Sequence, residues 1–174
     1  MKVLVPVDSS ECCQGAIEHI ARQSWWGDTK FLILHVMAIE TANDFPEYGF
    51  CTDAKYAEER LLAAQELVGE KTAYLVKMLG AKMHFECEVL QGFPADVIKQ
   101  TAIDWNADLI IMASHGYRGL KKFFLGSVAE NVLSGAPCSV EIIKTPAAVT
   151  EAVAKDKGKS SKDGDEVTKA ASHR

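Results

Sequence analysis

The sequence predicts a three-layer α/β domain: a doubly wound, five-stranded parallel sheet with four main helices packed on its two faces. Apolar runs of strand length alternate with helix-like segments along residues 1–145. Most of these runs are apolar throughout, which is typical of strands buried on both faces. Right-handed crossovers then place helices on both sides, so the strand order must reverse at one point in the sheet.

The first strand and the first helix have clear signals. A valine-rich run from Lys2 to Val7 predicts a buried strand that ends at Asp8. Either Asp8 or Ser9 is the predicted N-cap of the helix that follows, because both side chains can accept a hydrogen bond from the first turn. The second strand is Phe31 to Ala38, and His35 within it is predicted to be a hydrogen-bonded core histidine.

The middle of the chain contains a loop, a long helix and an alternating strand. Residues 40–52 lack periodicity and mix aromatic residues with helix breakers, which predicts a loop. A helix is predicted from about Asp53 to Leu79. The stretch from Lys82 to Leu90 alternates polar with apolar residues, which indicates a strand near a sheet edge. Pro94 is placed to begin a third helix that ends near Trp105.

The last elements flank the stretch on which the functional prediction depends. A fourth strand begins at Asp108, a fourth helix runs from Ser127 to Ser134, and a fifth strand covers Cys138 to Ile143. Glycines at 116 and 126 lie between strand and helix, where small residues let backbone N–H groups approach an anion. This pattern predicts a phosphate-binding loop. Three basic residues of the loop are candidates to neutralise phosphate charge: Arg118, Lys121 and Lys122.

Composition and charge exclude several classes of protein. The formal net charge of −5 argues against general affinity for nucleic acid or anionic membranes. No apolar run approaches the roughly 20 residues needed to span a bilayer. No secretory signal opens the chain and the five cysteines show no CxxC spacing, so we expect a cytoplasmic protein. The sequence contains no Walker A, GxSxG or HExxH motif and no metal-spaced cluster.

The cysteines and the C-terminal segment give two further expectations. Cys87 and Cys138 are expected to be buried as small hydrophobic residues, whereas the adjacent Cys12 and Cys13 cannot both face the core. Residues 146–174 are rich in lysine, alanine, serine and acids and have no aromatic residue. Such a segment buries too little apolar area to offset its ordering entropy, so a disordered charged tail is predicted.

An ordered set of motifs resembles a known family. The motifs are Val3-Leu4-Val5-Pro6-Val7-Asp8-Ser9-Ser10, Leu34-His35-Val36, Gly92-Phe93-Pro94-Ala95, Met112-Ala113-Ser114-His115-Gly116, Gly126-Ser127-Val128-Ala129 and Ala136-Pro137-Cys138-Ser139-Val140. With these motifs the chain from Met1 to Lys144 resembles the universal stress protein family. The resemblance implies a Rossmann-like, adenine nucleotide alpha hydrolase-like fold with strand order 3-2-1-4-5. It also implies a homodimer formed through the last strand.

The resemblance further implies an adenine nucleotide site. The nucleotide-binding branch of the family carries G-x2-G-x9-G-[S/T] and binds ATP, with or without Mg²⁺; here Ala113 replaces the first glycine. Pro6, Val7, Asp8 and Val36 are expected to line the adenine and ribose. Met112, Ala113 and Gly116 are expected to form the far wall. Gly126, Ser127 and Val128 are expected to offer backbone N–H groups and a hydroxyl to the phosphates.

Alternative interpretations stand beside this one. Asp8 is either a ribose ligand, a water-mediated Mg²⁺ ligand or simply a helix cap. His115, next to Ser114, is expected to face solvent or bond to backbone rather than act as a base. At the level of function, the choice is between an ATP-binding regulatory protein, a ligand-free dimeric interaction module and a flavin-holding electron-transfer domain. Weak ATP hydrolysis is an open alternative to pure binding, and the sequence names no protein partner.

Overall fold

The computed structural model describes residues 1–39, 54–80, 83–114 and 125–144. Met1–Lys144 forms one compact unit. Strands and helices alternate strictly in the order expected from the sequence. They are β1 (Lys2–Pro6), α1 (Glu11–Arg22), β2 (Lys30–Ala38), α2 (Ala54–Leu79), β3 (His84–Gly92), α3 (Pro94–Asp104), β4 (Leu109–Ala113), α4 (Ser127–Gly135) and β5 (Ser139–Ile143).

The five strands form one parallel sheet in the order β3-β2-β1-β4-β5, which confirms the predicted fold class. β1 pairs with β2 along its whole length, from Lys2 beside Lys30 to Pro6 beside Leu34. On its other side β1 pairs with β4. The direction in which the chain adds strands therefore reverses between β1 and β4.

The pleat of the sheet divides the apolar side chains between two cores. Val5 and Ile111 point to the side covered by α1 and α2, and Leu4 and Ile110 point to the side covered by α3 and α4. All four side chains are at most 1% exposed. Burial of a side chain of this size stabilises the fold by about 1.5–3 kcal/mol, so both faces contribute to holding the sheet.

The two outer strands differ in chemistry. β3 exposes the carboxylates of Glu86 and Glu88, and its position at the sheet edge confirms the prediction from its alternating pattern. The expectation that Cys87 is buried is wrong, because this strand borders solvent and the Cys87 thiol is exposed. β5 instead presents the half-buried side chains of Val140 and Ile142.

The first helix is capped by a different residue from the one expected. The N-cap of α1 is Ser10, whose Oγ accepts a hydrogen bond from the Cys13 N–H at 3.1 Å. Neither Asp8 nor Ser9 caps the helix. The reason is that Asp8 bonds to Ser10 itself, which delays the start of the helix to Glu11.

Some predictions fall on residues that the structure does not describe. These are the loop at 40–52, the loop that contains Gly116 and the tail at 146–174. Among the described residues, no helix combines the length and the apolar character needed to cross a membrane.

Candidate functional site

The reversal of strand order places the ends of β1 and β4 beside a crevice. In doubly wound sheets the helices that follow two such strands leave on opposite faces, and the gap between them receives ligands. Here Asp8 follows β1 and Ser114 follows β4. The strand order implied by the family resemblance makes these two strands neighbours, and the pairing of β1 with β4 confirms it.

Asp8 is held by residues that follow it closely in the chain. Its Oδ1 accepts a hydrogen bond from the Ser10 N–H at 3.0 Å and another from the Ser10 hydroxyl at 2.5 Å. The Asp8 N–H donates to the sulfur of Cys13 at 3.4 Å. Among the described residues, no group donates to Oδ2 of Asp8. The carboxylate is therefore fixed through one oxygen and has acceptor capacity on the other.

The peptide before Asp8 is bound to β2. The Val7 N–H donates to the Leu34 carbonyl at 2.8 Å, and the Val7 carbonyl is 2.8 Å from Nδ1 of His35. His35 is therefore hydrogen-bonded as predicted, although it is half-buried within β2, three residues before the end of the strand, rather than enclosed in the core. We call Val7 to Ser10 the Asp8 turn.

The buried Cys13 side chain contacts the Asp8 turn through its sulfur. This side chain is 3% exposed. Burial raises the pKa of the Cys13 thiol to about 11, and the nearby charge of Asp8 adds to the rise, while the hydrogen bond from the Asp8 N–H opposes it. Cys13 is therefore a neutral acceptor for this N–H at physiological pH.

On the other side of the crevice, α4 begins with an open N-terminus. Its N-cap is Gly126, which has no side chain to cap the helix. The Gly126 N–H donates to the Ser114 carbonyl at 2.8 Å, so this N–H is already used. The N–H groups of Ser127 and Val128 have no acceptor within the described part of the chain. Unpaired N–H groups together with the helix dipole favour an anion at this position.

Ala113, which replaces a family glycine, sits in regular strand backbone. It is the last residue of β4 and pairs with Ile143 of β5. Among the described non-glycine residues, a positive φ occurs at Asn106 and nowhere else, so Ala113 is not strained. Alternation along β4 places its Cβ on the side of α1 and α2, as for Ile111.

The sheet separates the other expected contact residues onto two faces. Val36, Met112 and Val128 pack in or against the α3/α4 core, and alternation puts Pro6 on the same side. Val7 does not line this surface, because its side chain is 5% exposed within the α1/α2 core. Its contribution to a ligand site is through its backbone.

Part of the expected site cannot be placed. Gly116, His115 and the three basic residues of the loop at 118, 121 and 122 lie outside the described residues. Within the described ranges, no group of three or more metal-ligating side chains is found.

A separate groove of about 280 Å³ lies between α2 and β3. Cys87 in this groove is 3.1 Å from the Thr72 hydroxyl, which donates to the Val68 carbonyl at 2.8 Å. The Cys87 thiol is then the donor to Thr72. The groove pairs no acid with a base, so we place the candidate site at the crevice.

Two residues at the site, Ser10 and His35, make hydrogen bonds whose partners were not predicted from the sequence. The Ser10 hydroxyl donates to Oδ1 of Asp8 and accepts from the Cys13 N–H. The sequence signal was present as an Asp followed two residues later by Ser, a spacing typical of Asx turns. His35 bonds to Val7 from the neighbouring strand, 28 positions away in sequence. Spacing along the chain gave no signal for that contact.

Comparison with known proteins supplies the family. The model of the universal stress protein family matches residues 1–144. A universal stress protein of Methanocaldococcus jannaschii is 30% identical over 145 residues, which are 83% of this chain and 82% of the relative.

Solved structures share the fold. A universal stress protein family protein of Arabidopsis thaliana with AMP bound has a TM-score of 0.62 at 23% identity, over 86% of this chain and 95% of the other. A universal stress protein of Archaeoglobus fulgidus in complex with dAMP has a TM-score of 0.54 at 21% identity, over 83% and 98%.

Proposed function

The chain belongs to the universal stress protein family, and on that premise we propose that it binds an adenine nucleotide, ATP in the first place, and acts as a regulatory protein of the stress response. The observation that carries the proposal is the contrast between the two helix N-termini at the crevice. α1 is closed by the Ser10 side chain, whereas α4 begins at a glycine with open N–H groups. We propose binding, with no residue assigned to catalysis.

The two sides of the crevice suit different parts of a nucleotide. A carboxylate repels phosphate and accepts hydrogen bonds from hydroxyls, so Asp8 is suited to the ribose. The N–H groups of Ser127 and Val128 are suited to the phosphates. Half-buried Val36 offers an apolar surface to the base. AMP and dAMP in two universal stress proteins of similar fold support this class of ligand.

The first experiment asks what the purified protein carries. Protein prepared under native conditions is heat-denatured, and the supernatant is analysed for adenine nucleotides. We also expect millimolar ATP with Mg²⁺ to raise the melting temperature by about 5–10 °C, since ligand at 100 times Kd stabilises by about 2.7 kcal/mol. If no nucleotide is released and ATP causes no thermal shift, nucleotide binding is refuted.

A variant of Ser127 tests where the phosphates bind. Ser127→Glu places a carboxylate on the first residue of α4, which favours the helix but repels an anion at its N-terminus. We expect nucleotide binding to be lost while the melting temperature without ligand is kept or raised. Ser127→Gln is the uncharged control of equal size and should retain most of the binding. Unchanged binding by Ser127→Glu would place the phosphates elsewhere.

A ligand-free interaction module is the second candidate, and Ala113 is the observation that favours it. Its Cβ occupies a position that is glycine in the nucleotide-binding pattern. The two candidates are separated by Ala113→Gly. If the wild type binds no ATP and the Ala113→Gly variant does, the hypothesis of a ligand-free interaction module is correct. If both bind with similar affinity, the Cβ is harmless.

We further propose a cytoplasmic homodimer that pairs β5 with β5 of a second copy. Two features support the interface: β5 is at the edge of the sheet with Val140 and Ile142 half-buried, and its one carboxylate, Glu141, is bound to His19 at 2.9 Å. The other edge strand, β3, exposes Glu86 and Glu88, and charge discourages edge pairing. Cys13, Cys87 and Cys138 form no disulfide among the described residues, and a reducing compartment such as the cytoplasm is the location that we propose for such thiols.

A further inference from the structure

The peptide of Val7 is where β1 ends and the Asp8 turn begins, and β2 binds both of its polar groups. Leu34 accepts from the Val7 N–H, and Nδ1 of His35 lies 2.8 Å from the Val7 carbonyl. A carbonyl has no hydrogen to donate, so Nδ1 must carry the hydrogen of this bond. The orientation of the ring and the position of the carbonyl therefore fix each other.

The N–H and the carboxylate of Asp8 are fixed as well. Cys13 accepts from the Asp8 N–H, and Ser10 donates twice to Oδ1. His35 and Cys13 therefore bind the carbonyl and the N–H of the peptide that joins Val7 to Asp8, and Ser10 binds one carboxylate oxygen. Oδ2 is the oxygen to which no described residue donates.

We propose that His35 is a positioning residue for the ribose site: its Nδ1–H holds the Val7 carbonyl and so keeps Oδ2 of Asp8 in place to accept from the ribose hydroxyls. The inference rests on the proposed function and deepens it. His35 does not touch the ligand. Val36, the next residue of β2, packs on the opposite face and supports the base, so adjacent residues serve the two parts of the nucleoside.

The position of the bond explains why an apolar residue would not replace His35. His35 interrupts an otherwise apolar run that begins at Phe31. A leucine there would leave the Val7 carbonyl without its donor, and an unsatisfied, partly buried acceptor is destabilising. Of the two hydrogen bonds that bind Val7 to β2, the one from the Val7 N–H to the Leu34 carbonyl would remain and the one to its carbonyl would be lost. The hydrogen bond to the Asp8 turn therefore explains why a histidine occupies this position of an apolar strand.

Two substitutions separate the roles of the ring nitrogens. In His35→Asn the side-chain N–H takes the place of Nδ1–H, and in His35→Gln it reaches the place of Nε2. We expect the Kd of His35→Asn for ATP to remain within about twofold of wild type and that of His35→Gln to rise about tenfold, the effect of one lost hydrogen bond. His84→Gln, an exposed histidine of β3, is the control and should not change the Kd.

The ribose supplies a readout that a general structural role would not give. Because His35 acts through Asp8, the difference between His35→Gln and wild type should disappear with 2′,3′-dideoxy-ATP. Equal weakening of ATP and dideoxy-ATP by His35→Gln would overturn the proposal. So would wild-type affinity in His35→Gln, or a loss in His35→Asn as large as that in His35→Gln.

The state of the ring is measurable without a nucleotide. Long-range ¹H–¹⁵N spectra of the imidazole should show hydrogen on Nδ1 of His35 in the folded protein. A ring with hydrogen on Nε2 alone would overturn the inference even in a protein that binds ATP. If the wild type binds no nucleotide, the proposed function fails and the ribose role fails with it; if it binds and the variants behave alike, only the positioning role is wrong.

Discussion

Asp8 owes its geometry to side chains that are small and close. Ser10, two residues further along the chain, and Cys13, five residues further, both bind to Asp8. The local sequence therefore determines most of the turn. The motif around Asp8 predicted a functional carboxylate beside a helix start, but it assigned the cap to Asp8 or Ser9. Capping preferences rank Asp and Ser together, so sequence alone could not choose among Asp8, Ser9 and Ser10.

At the same scale, Cys13 gives a prediction about pH. A thiol whose pKa is raised in the folded state contributes stability that is fully present below its unfolded pKa, and this contribution is lost as the pH rises through the folded value. With 9.0 for the unfolded thiol and about 11 for the folded one, the loss falls between pH 9 and 11. We expect the wild type to lose about 2 kcal/mol relative to Cys13→Ala by pH 11.

Urea titrations of the two proteins at pH 8, 9.5 and 11 measure this loss. The comparison with Cys13→Ala cancels the titration of lysines and tyrosines, which both proteins share. A free-energy difference that stays constant across the three pH values would contradict the burial of the Cys13 thiol.

At the scale of the element, the start of α1 depends on a serine side chain, whereas the N-cap of α4 is a glycine. Ser10→Ala removes the cap of α1 and should lower the free energy of unfolding by about 1 kcal/mol. It also removes the hydrogen bond from the Ser10 hydroxyl to Oδ1 of Asp8 and leaves only the one from the backbone N–H, so nucleotide affinity should fall as well. Urea midpoints and ATP titrations measure the two effects.

The control for this prediction is the neighbouring Ser9→Ala. Ser9 is exposed and no helix depends on its hydroxyl, so its removal should change stability by less than about 0.5 kcal/mol. Equal effects of the two substitutions would mean that Ser10 is not the operative cap.

Strands and helices were largely predictable, and the reasons are visible in particular elements. The alternation of β3 has the period of a strand, whereas β1 and β2 are apolar throughout and are identified as strands by their short length and their β-branched residues. Helix α2 was predicted from about Asp53 and is described from Ala54 to Leu79. The contact between His35 and Val7 was not predictable in this way, because the pairing of two strands depends on the helix between them.

At the scale of the whole molecule, the order of the strands decides where a site can exist. The alternation of strands and helices predicts a reversal somewhere, but it does not say between which strands. That information came from the family resemblance, and the pairing of β1 with β4 confirms it. The nucleotide itself is a proposal, because Gly116 and the basic loop lie outside the described residues.

The proposed dimer leads to a prediction about mass. The wild type should have twice the chain mass of 19.0 kDa in light scattering. Ile142→Lys adds a charge to β5 that can still extend its ammonium to solvent in a monomer, so we expect 19.0 kDa with an unchanged circular dichroism spectrum. Leu90→Lys on β3 is the control and should remain a dimer. A monomeric wild type would refute the interface.

The acidic strand β3 has a consequence for how far assembly can proceed. Pairing β5 with β5 through a two-fold axis joins two sheets into one of ten strands, and the outer edge on each side is then β3. Head-to-tail addition of β3 to β5 would instead be open-ended and could grow into a filament. Glu86 and Glu88 would meet the same carboxylates wherever two such outer edges approached. In the proposed dimer, these two glutamates terminate the growth of the sheet and keep it from polymerising.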